Sequence, residues 1–116
     1  MKFTDTMKKN YEFQRLYSKG RSAATPYLVV YVRKTKRQRC RIGFTVSTKL
    51  GKAVVRNRVR RRLREIYRLN EDRIVRGTEF VVVARVRAVH ASYRELENAF
   101  LSACAKLGVL TRGDEP

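Results

Sequence analysis

Residues 41–67 read RIGFTVSTKLGKAVVRNRVRRRLREIY, and the fold turns on this stretch because its hydrophobic period changes midway. Up to Ser47 the period is two. Ile42, Phe44 and Val46 fall on one side, with Arg41, Gly43, Thr45 and Ser47 on the other, which is the alternation of a strand with one face in a core. After Gly51 the period lengthens. Val55, Val59, Leu63, Ile66 and Tyr67 recur at helical spacing as far as about Leu69, occupying roughly a third of the helical wheel at ~100° per residue. Asn57, Arg60, Arg61, Arg64 and Arg68 take the opposite face, and Arg56 and Arg62 sit at the two margins of the apolar arc. From Lys49 to Arg68 nine basic residues face a single acid, Glu65, a local charge of +8 in twenty residues. Arginines three and four apart repel by a few tenths of a kcal/mol per pair, roughly. The pattern therefore costs helix stability, and an anionic ligand would offset that cost.

Upstream, Tyr27 to Arg33 (YLVVYVR) is β-branched and aromatic, as strands prefer. Leu28, Val30 and Val32 form its core side; Tyr27, Val29, Tyr31 and Arg33 form a side that meets something else. The basic loop Lys34 to Arg39 is predicted to join this strand to Cys40–Ser47 as an antiparallel hairpin. Asn10 to Lys19 reads as a short helix capped by Asn10, with Phe13, Leu16 and Tyr17 on one face and Gly20 ending it. Downstream, a polar linker from Asn70 to Gly77 precedes Glu79 to Arg85, whose nearly unbroken apolar run predicts a central or parallel strand. Ser92-Tyr93-Arg94-Glu95 matches a capping box. Leu96, Ala99, Phe100, Ala103 and Leu107 then carry a helical stripe that ends at Gly108.

Composition narrows the function. The 116 residues suit one domain. Lys and Arg number 28 against 10 Asp and Glu, a net charge of +18, which attracts polyanions at long range. Most charge runs are plain solvated faces, but those mix signs and this one barely does. The apolar runs are strand-sized, well short of the ~20 residues a spanning helix needs, and no signal peptide follows the N-terminus. A soluble, cytoplasmic protein is expected, with Cys40 and Cys104 as small buried residues and no membrane partner. Catalysis by the chain itself is not expected. His90 is the single histidine and reads as a surface residue; no glycine-rich phosphate loop occurs; only Glu71/Asp72 and Glu95/Glu97 place carboxylates close in sequence. A two-metal nuclease needs several carboxylates converging on ions about 4 Å apart, so neither catalytic nor metal-ligating residues are assigned. Phe13, Tyr17 and Tyr31 are candidates for stacking unpaired bases, although Phe13 and Tyr17 taken alone read more simply as core. Tyr31 is the strongest of the three, lying opposite its strand's apolar face.

Taken together, residues 41–67 closely resemble the signature of the bacterial ribonuclease P protein family. The most specific part is Arg56-Asn57-Arg58, following Lys49-x-Gly51-x-Ala53-Val54 and running on as a basic helix. Lys8-Lys9-Asn10-x-x-Phe13 and Val83-Ala84-Arg85 are also similar, so the resemblance spans about residues 7–110. It implies an α+β (α/β sandwich) single domain over 1–110, in the order α-β-β-β-α-β-α, ribosomal protein S5 domain 2-like, with a left-handed β-α-β crossover. Residues 111–116 would be a disordered tail, and the first strand would be the weak piece Arg21 to Ala24.

Functionally the resemblance implies a protein subunit that binds a catalytic RNA and the single-stranded 5′ leader of precursor tRNA, one protein to one RNA. Mg2+ would act in the RNA subunit and at the protein–RNA–substrate interface, with no organic cofactor. The RNA-binding set would be Lys49, Lys52, Arg56, Asn57, Arg58, Arg60, Arg61, Arg64 and Arg68. The leader cleft would comprise Phe13, Tyr17, Tyr31 and Thr45, with Arg56 and Asn57 at its edge. Tyr17 stands where Phe is common, and its hydroxyl prefers a polar neighbour. The rival readings are a ribosomal protein or RNA chaperone, which would not discriminate leader-bearing from mature tRNA, and a protein-only ribonuclease, which would need a carboxylate cluster.

Overall fold

The computed structural model describes residues 1–111. Its elements are β1 (Thr4–Thr6), α1 (Asn10–Lys19), β2 (Arg21–Ala24), β3 (Leu28–Lys34), β4 (Cys40–Thr45), α2 (Ala53–Asn70), β5 (Thr78–Ala84) and α3 (Tyr93–Lys106). Short 3-10 turns cover Thr48–Leu50, Glu71–Arg73 and Val86–His90; the last of these holds His90. The expected α-β-β-β-α-β-α series is present, with β1 added ahead of it. All five strands form one sheet in the order β1-β4-β5-β3-β2. Helix α2 carries the chain from β4 to its parallel neighbour β5, and β5 is central, as its apolar run predicts.

The predicted hairpin is not formed. β3 and β4 run antiparallel, but β5 lies between them and pairs with both, Tyr31 and Gly43 each facing Val81. The five-residue link therefore spans two strand spacings, ~10 Å, and arches over the start of β5. Thr35 donates from both its backbone N–H and its hydroxyl to the Gly77 carbonyl, at 2.8 and 2.9 Å. Gly77 has φ 82°, and a Cβ there would lie 2.5 Å from the Arg37 carbonyl oxygen. Only glycine fits beneath this arch without strain.

Strand β1 is three residues long, TDT, and has no hydrophobic signal. Tertiary contacts hold it. The carboxylate of Glu71, 3% exposed, accepts from Lys2 N (2.7 Å), Phe3 N (3.1 Å) and Thr4 Oγ1 (2.6 Å). Burial alone would raise this carboxyl's pKa, but the Thr4, Lys2 and Phe3 hydrogen bonds and the N-terminal ammonium hold it below the ordinary value. A depressed folded-state pKa contributes stability that is present above the unfolded value, about 4.3, and is lost as pH falls through the folded one. Glu71→Gln is expected to cost about 1–2 kcal/mol at neutral pH, because the amide keeps an acceptor but loses the charge. Denaturant midpoints measured from pH 7 to pH 3 should also fall less steeply in the variant than in the wild type.

The sheet is covered on both faces. One face carries Leu28, Val30 and Val32 of β3, Ile42 of β4, and Phe80 and Val82 of β5. These pack on Val59, Leu63, Ile66 and Tyr67 of α2 and on Leu96, Phe100, Ala103 and Cys104 of α3. Cys40 is buried in the same core. Phe80, Tyr67 and Phe100 meet edge-on or tilted, with centroids 5.7–6.3 Å apart. α3 starts on the predicted capping box, Ser92 Oγ accepting from Glu95 N at 3.1 Å and Glu95 Oε1 accepting from Ser92 N at 2.9 Å. The N-cap of α1 is Lys9 rather than Asn10. Asn10 is already helical, and Glu12 satisfies the Lys9 N–H at 3.2 Å. Of the predicted tail, Thr111 is bonded, donating to the Arg73 carbonyl at 2.7 Å; residues 112–116 lie outside the described residues.

Candidate nucleic-acid interface

Among the described helices, α1 alone crosses the second face of the sheet. Register arranges that face in tiers. The first is ionic: Glu79 stands between Arg41 and Arg33, with Arg33 Nη1 3.8 Å from Glu79 and Arg41 Nη2 2.5 Å from Glu12 of α1. Glu12 is buried, so one carboxylate both caps α1 and ties it to β4. The second tier is apolar, with Gly43, Val81 and Tyr31 side by side beneath the helix. The third, Thr45, Val83 and Val29, is half-buried and lies farthest from the ionic tier, at the Tyr17 end of α1.

The four expected cleft residues come together on the last two tiers. Phe13, Tyr17 and Tyr31 are half-buried around a small cluster of Met7, Leu16 and Val81. Tyr17 and Tyr31 meet edge to face, with centroids 5.0 Å apart and planes at 74°. Tyr17 Oη and Thr45 Oγ1 share a 2.8 Å hydrogen bond, so the hydroxyl that replaces the commoner Phe has its polar neighbour. The alternatives of core and cleft for Phe13 and Tyr17 are not exclusive: each packs one side and leaves part of its ring open. Gly43 and Val83 belong to the same surface and were not singled out in the sequence. A Cβ on Gly43 would lie 2.6 Å from two ring atoms of Phe13, so the Phe13 ring occupies the space that a side chain would take.

Helix α2 rises beside this surface. Arg56 Nε donates to the Val46 carbonyl at 3.3 Å, one residue past Thr45. At the other margin Arg62 Nη1 donates to the Ala91 carbonyl at 3.3 Å. Both marginal arginines are half-buried and attach the helix to its surroundings. Asn57, Arg60, Arg61 and Arg64 line a shallow pocket of about 240 Å³, where Arg60 donates to Asn57 Oδ1 at 3.0 Å. Arg58 is exposed but lies ~100° round the wheel from Asn57, outside that pocket. Arg68 is exposed and paired with Glu65. Lys49 lies in the 3-10 turn before α2 and Lys52 is its N-cap; both are exposed.

A larger cavity of about 360 Å³ between the β2–β3 turn and α3 is lined by Ala24, Tyr27, Glu95 and Lys106 among others. It contains none of the aromatics of the cleft and no arginine of α2. Among the described residues no three His, Cys, Asp or Glu side chains come together, and no helix is long and apolar enough to cross a membrane.

A one-sided cationic helix beside a half-open aromatic floor suits a polyanion with unstacked bases. The family model described as Ribonuclease P matches residues 1–108. The ribonuclease P protein component of Alkaliphilus oremlandii is 40% identical over 110 residues, covering 95% of this chain and 96% of that protein. The RNase P protein of Staphylococcus aureus superposes with a TM-score of 0.83 at 34% identity, covering 91% of this chain and 97% of that one. That of Thermotoga maritima gives 0.77 at 28% identity, covering 84% and 93%. The chain belongs to the ribonuclease P protein family, the protein component of the ribonucleoprotein endoribonuclease that matures tRNA 5′ ends.

Proposed function

We propose that the chain binds the catalytic RNA through the exposed arginine face of α2 and holds the single-stranded 5′ leader of precursor tRNA on the Phe13–Tyr17–Tyr31–Thr45 surface. One observation carries this reading: the half-open aromatic tier and the cationic helix adjoin, joined where Arg56 reaches the carbonyl next to Thr45. Arginines neutralise phosphates, while ring faces hold unstacked bases at about 1–3 kcal/mol each. Mature tRNA has no leader to occupy the aromatic tier, so binding there favours precursor over product. The Mg2+-dependent cleavage belongs to the RNA subunit. The ions are taken to rest on RNA and substrate phosphates, which suit magnesium's preference for oxygen ligands and retained water, and the α2 arginines reduce the mutual repulsion of those phosphates. One protein per RNA, acting in the cytoplasm, is the assembly proposed.

The test is processing of precursor tRNA by a bacterial ribonuclease P RNA at low Mg2+, with and without this protein and a Tyr31→Ala variant. The protein alone should be inert and the mixture should release an intact leader. Tyr31→Ala should weaken precursor binding roughly 5- to 100-fold while binding of mature tRNA stays unchanged. Equal loss for both tRNAs would point instead to a general RNA-binding protein.

A further inference from the structure

The outer face of α1 carries an aromatic group that the cleft does not use. Tyr11 is 57% exposed, the most open of the aromatic side chains on that helix, and points ~160° round the wheel from Phe13 and ~120° from Tyr17. Two cations flank its ring, Lys9 Nζ at 5.8 Å and Arg15 Cζ at 5.7 Å from the centroid. Lys8 and Lys19 extend the same charge along the helix, and its one acid, Glu12, is turned inward onto Arg41. Neither the core nor the ionic tier explains an exposed ring with two cations near it.

We propose that Tyr11, with Lys9 and Arg15, is a second stacking platform for single-stranded RNA, and that its occupant is the part of the 5′ leader that runs past the cleft. This rests on the cleft reading above. The chemistry fits a nucleotide strand: a ring face for one base, with two cations within about 6 Å of the ring for the neighbouring phosphates. Exposed cation–π contacts near the outer limit of ~6 Å strengthen an interaction only about two- to fivefold, whereas a stacked base contributes roughly 5- to 100-fold. A base therefore displaces a cation from the ring, and the freed lysine or arginine turns to phosphate. Continuity selects the leader over other RNA. The same ten-residue helix lines the cleft with its inner face, and its outer face lies one helix diameter away, about 10–12 Å. A few additional nucleotides reach it.

The experiment uses holoenzyme reconstituted with a bacterial ribonuclease P RNA. Affinity is measured for precursor tRNAs with leaders of roughly 4 and roughly 12 nucleotides, with wild type, Tyr11→Ala, Tyr11→Phe, a Lys9→Ala, Arg15→Ala double variant, and Tyr31→Ala. For the longer leader, Tyr11→Ala should lose about 5- to 100-fold and the double variant should lose affinity and salt dependence. Tyr11→Phe should stay near wild type, because stacking needs the ring and not the hydroxyl. The shorter leader should bind all these α1 variants alike. Equal loss at both lengths, weaker assembly with the catalytic RNA, or no loss at all would each overturn the proposal. Tyr31→Ala reports separately on the cleft, where loss is expected at both lengths; an unchanged Tyr31→Ala would sink the cleft reading whatever Tyr11 does.

Discussion

Alanine at both Arg61 and Arg64 is expected to weaken binding of the catalytic RNA roughly 10- to 30-fold near physiological salt, while leaving the protein as stable as before or slightly more so. The two halves of this result have different causes. Both side chains are exposed, and neither has an ion-pair partner among the described residues. Removing them breaks no hydrogen bond or ion pair among the described residues, relieves like-charge repulsion along the helix, and introduces the residue with the best helix propensity. Against RNA each guanidinium releases about one counterion, so the slope of log affinity against log salt should become shallower by about 1.4–1.8 for the pair. The measurement is a salt series of binding to the RNA beside a thermal melt of the free protein. Lost binding with a lowered melting temperature would mean that the arginines support the fold. Arg68→Ala should do less, since Glu65 already engages that guanidinium. Arg56 and Arg62 are poor probes, because each is tied to a backbone carbonyl and supports the docking of α2.

That division among arginines marks how far the sequence was legible. The wheel separates the exposed stripe from Arg56 and Arg62, because periodicity reports direction from the helix axis. It does not report what lies in that direction, and the carbonyls of Val46 and Ala91 come from elsewhere in the chain. The same limit explains the strands. Alternation sorted Leu28, Val30 and Val32 from Tyr31, and Ile42 from Thr45, since both periods are local. Pairing is not local. A five-residue link between two strands fits a hairpin equally well whether the strands touch or a third lies between them. The one sequence cue for the arch was Gly77, in a linker where several polar residues also favour a turn. β1 left no cue, since its place depends on Glu71, 67 positions after Thr4. The cleft was half legible for a related reason. Tyr31 and Thr45 follow from strand parity, but that Phe13 and Tyr17 lie over those two residues depends on where α1 crosses the sheet. Glu12 fixes that crossing through Arg41.

Gly43 permits the crossing, and Gly43→Val gives opposite signs on two accounts of this position. Judged by strand preference alone, valine in a paired strand should stabilise, because glycine there lacks a side chain to pack and loses more entropy on folding. The structure requires the reverse. A Cβ would stand 2.6 Å from Cε2 and Cζ of Phe13 and 3.3 Å from Cβ of Met7. The ring cannot retreat into the sheet, because the neighbouring positions across the register hold buried Val81 and half-buried Tyr31. It must swing outward and lift α1, at an overpacking cost of about 2–3 kcal/mol. Because Tyr17 rides on the same helix, its bond to Thr45 and its edge-on contact with Tyr31 should loosen too. Affinity for leader-bearing substrate should then fall while binding through α2 persists. Thermal unfolding measures the first effect, and precursor against mature tRNA binding measures the second. A double-mutant cycle with Phe13→Ala identifies the cause: if the ring is the obstacle, the double variant should be less destabilised than the two single changes added together. Strict additivity would place the strain elsewhere, against Met7 or the backbone of α1.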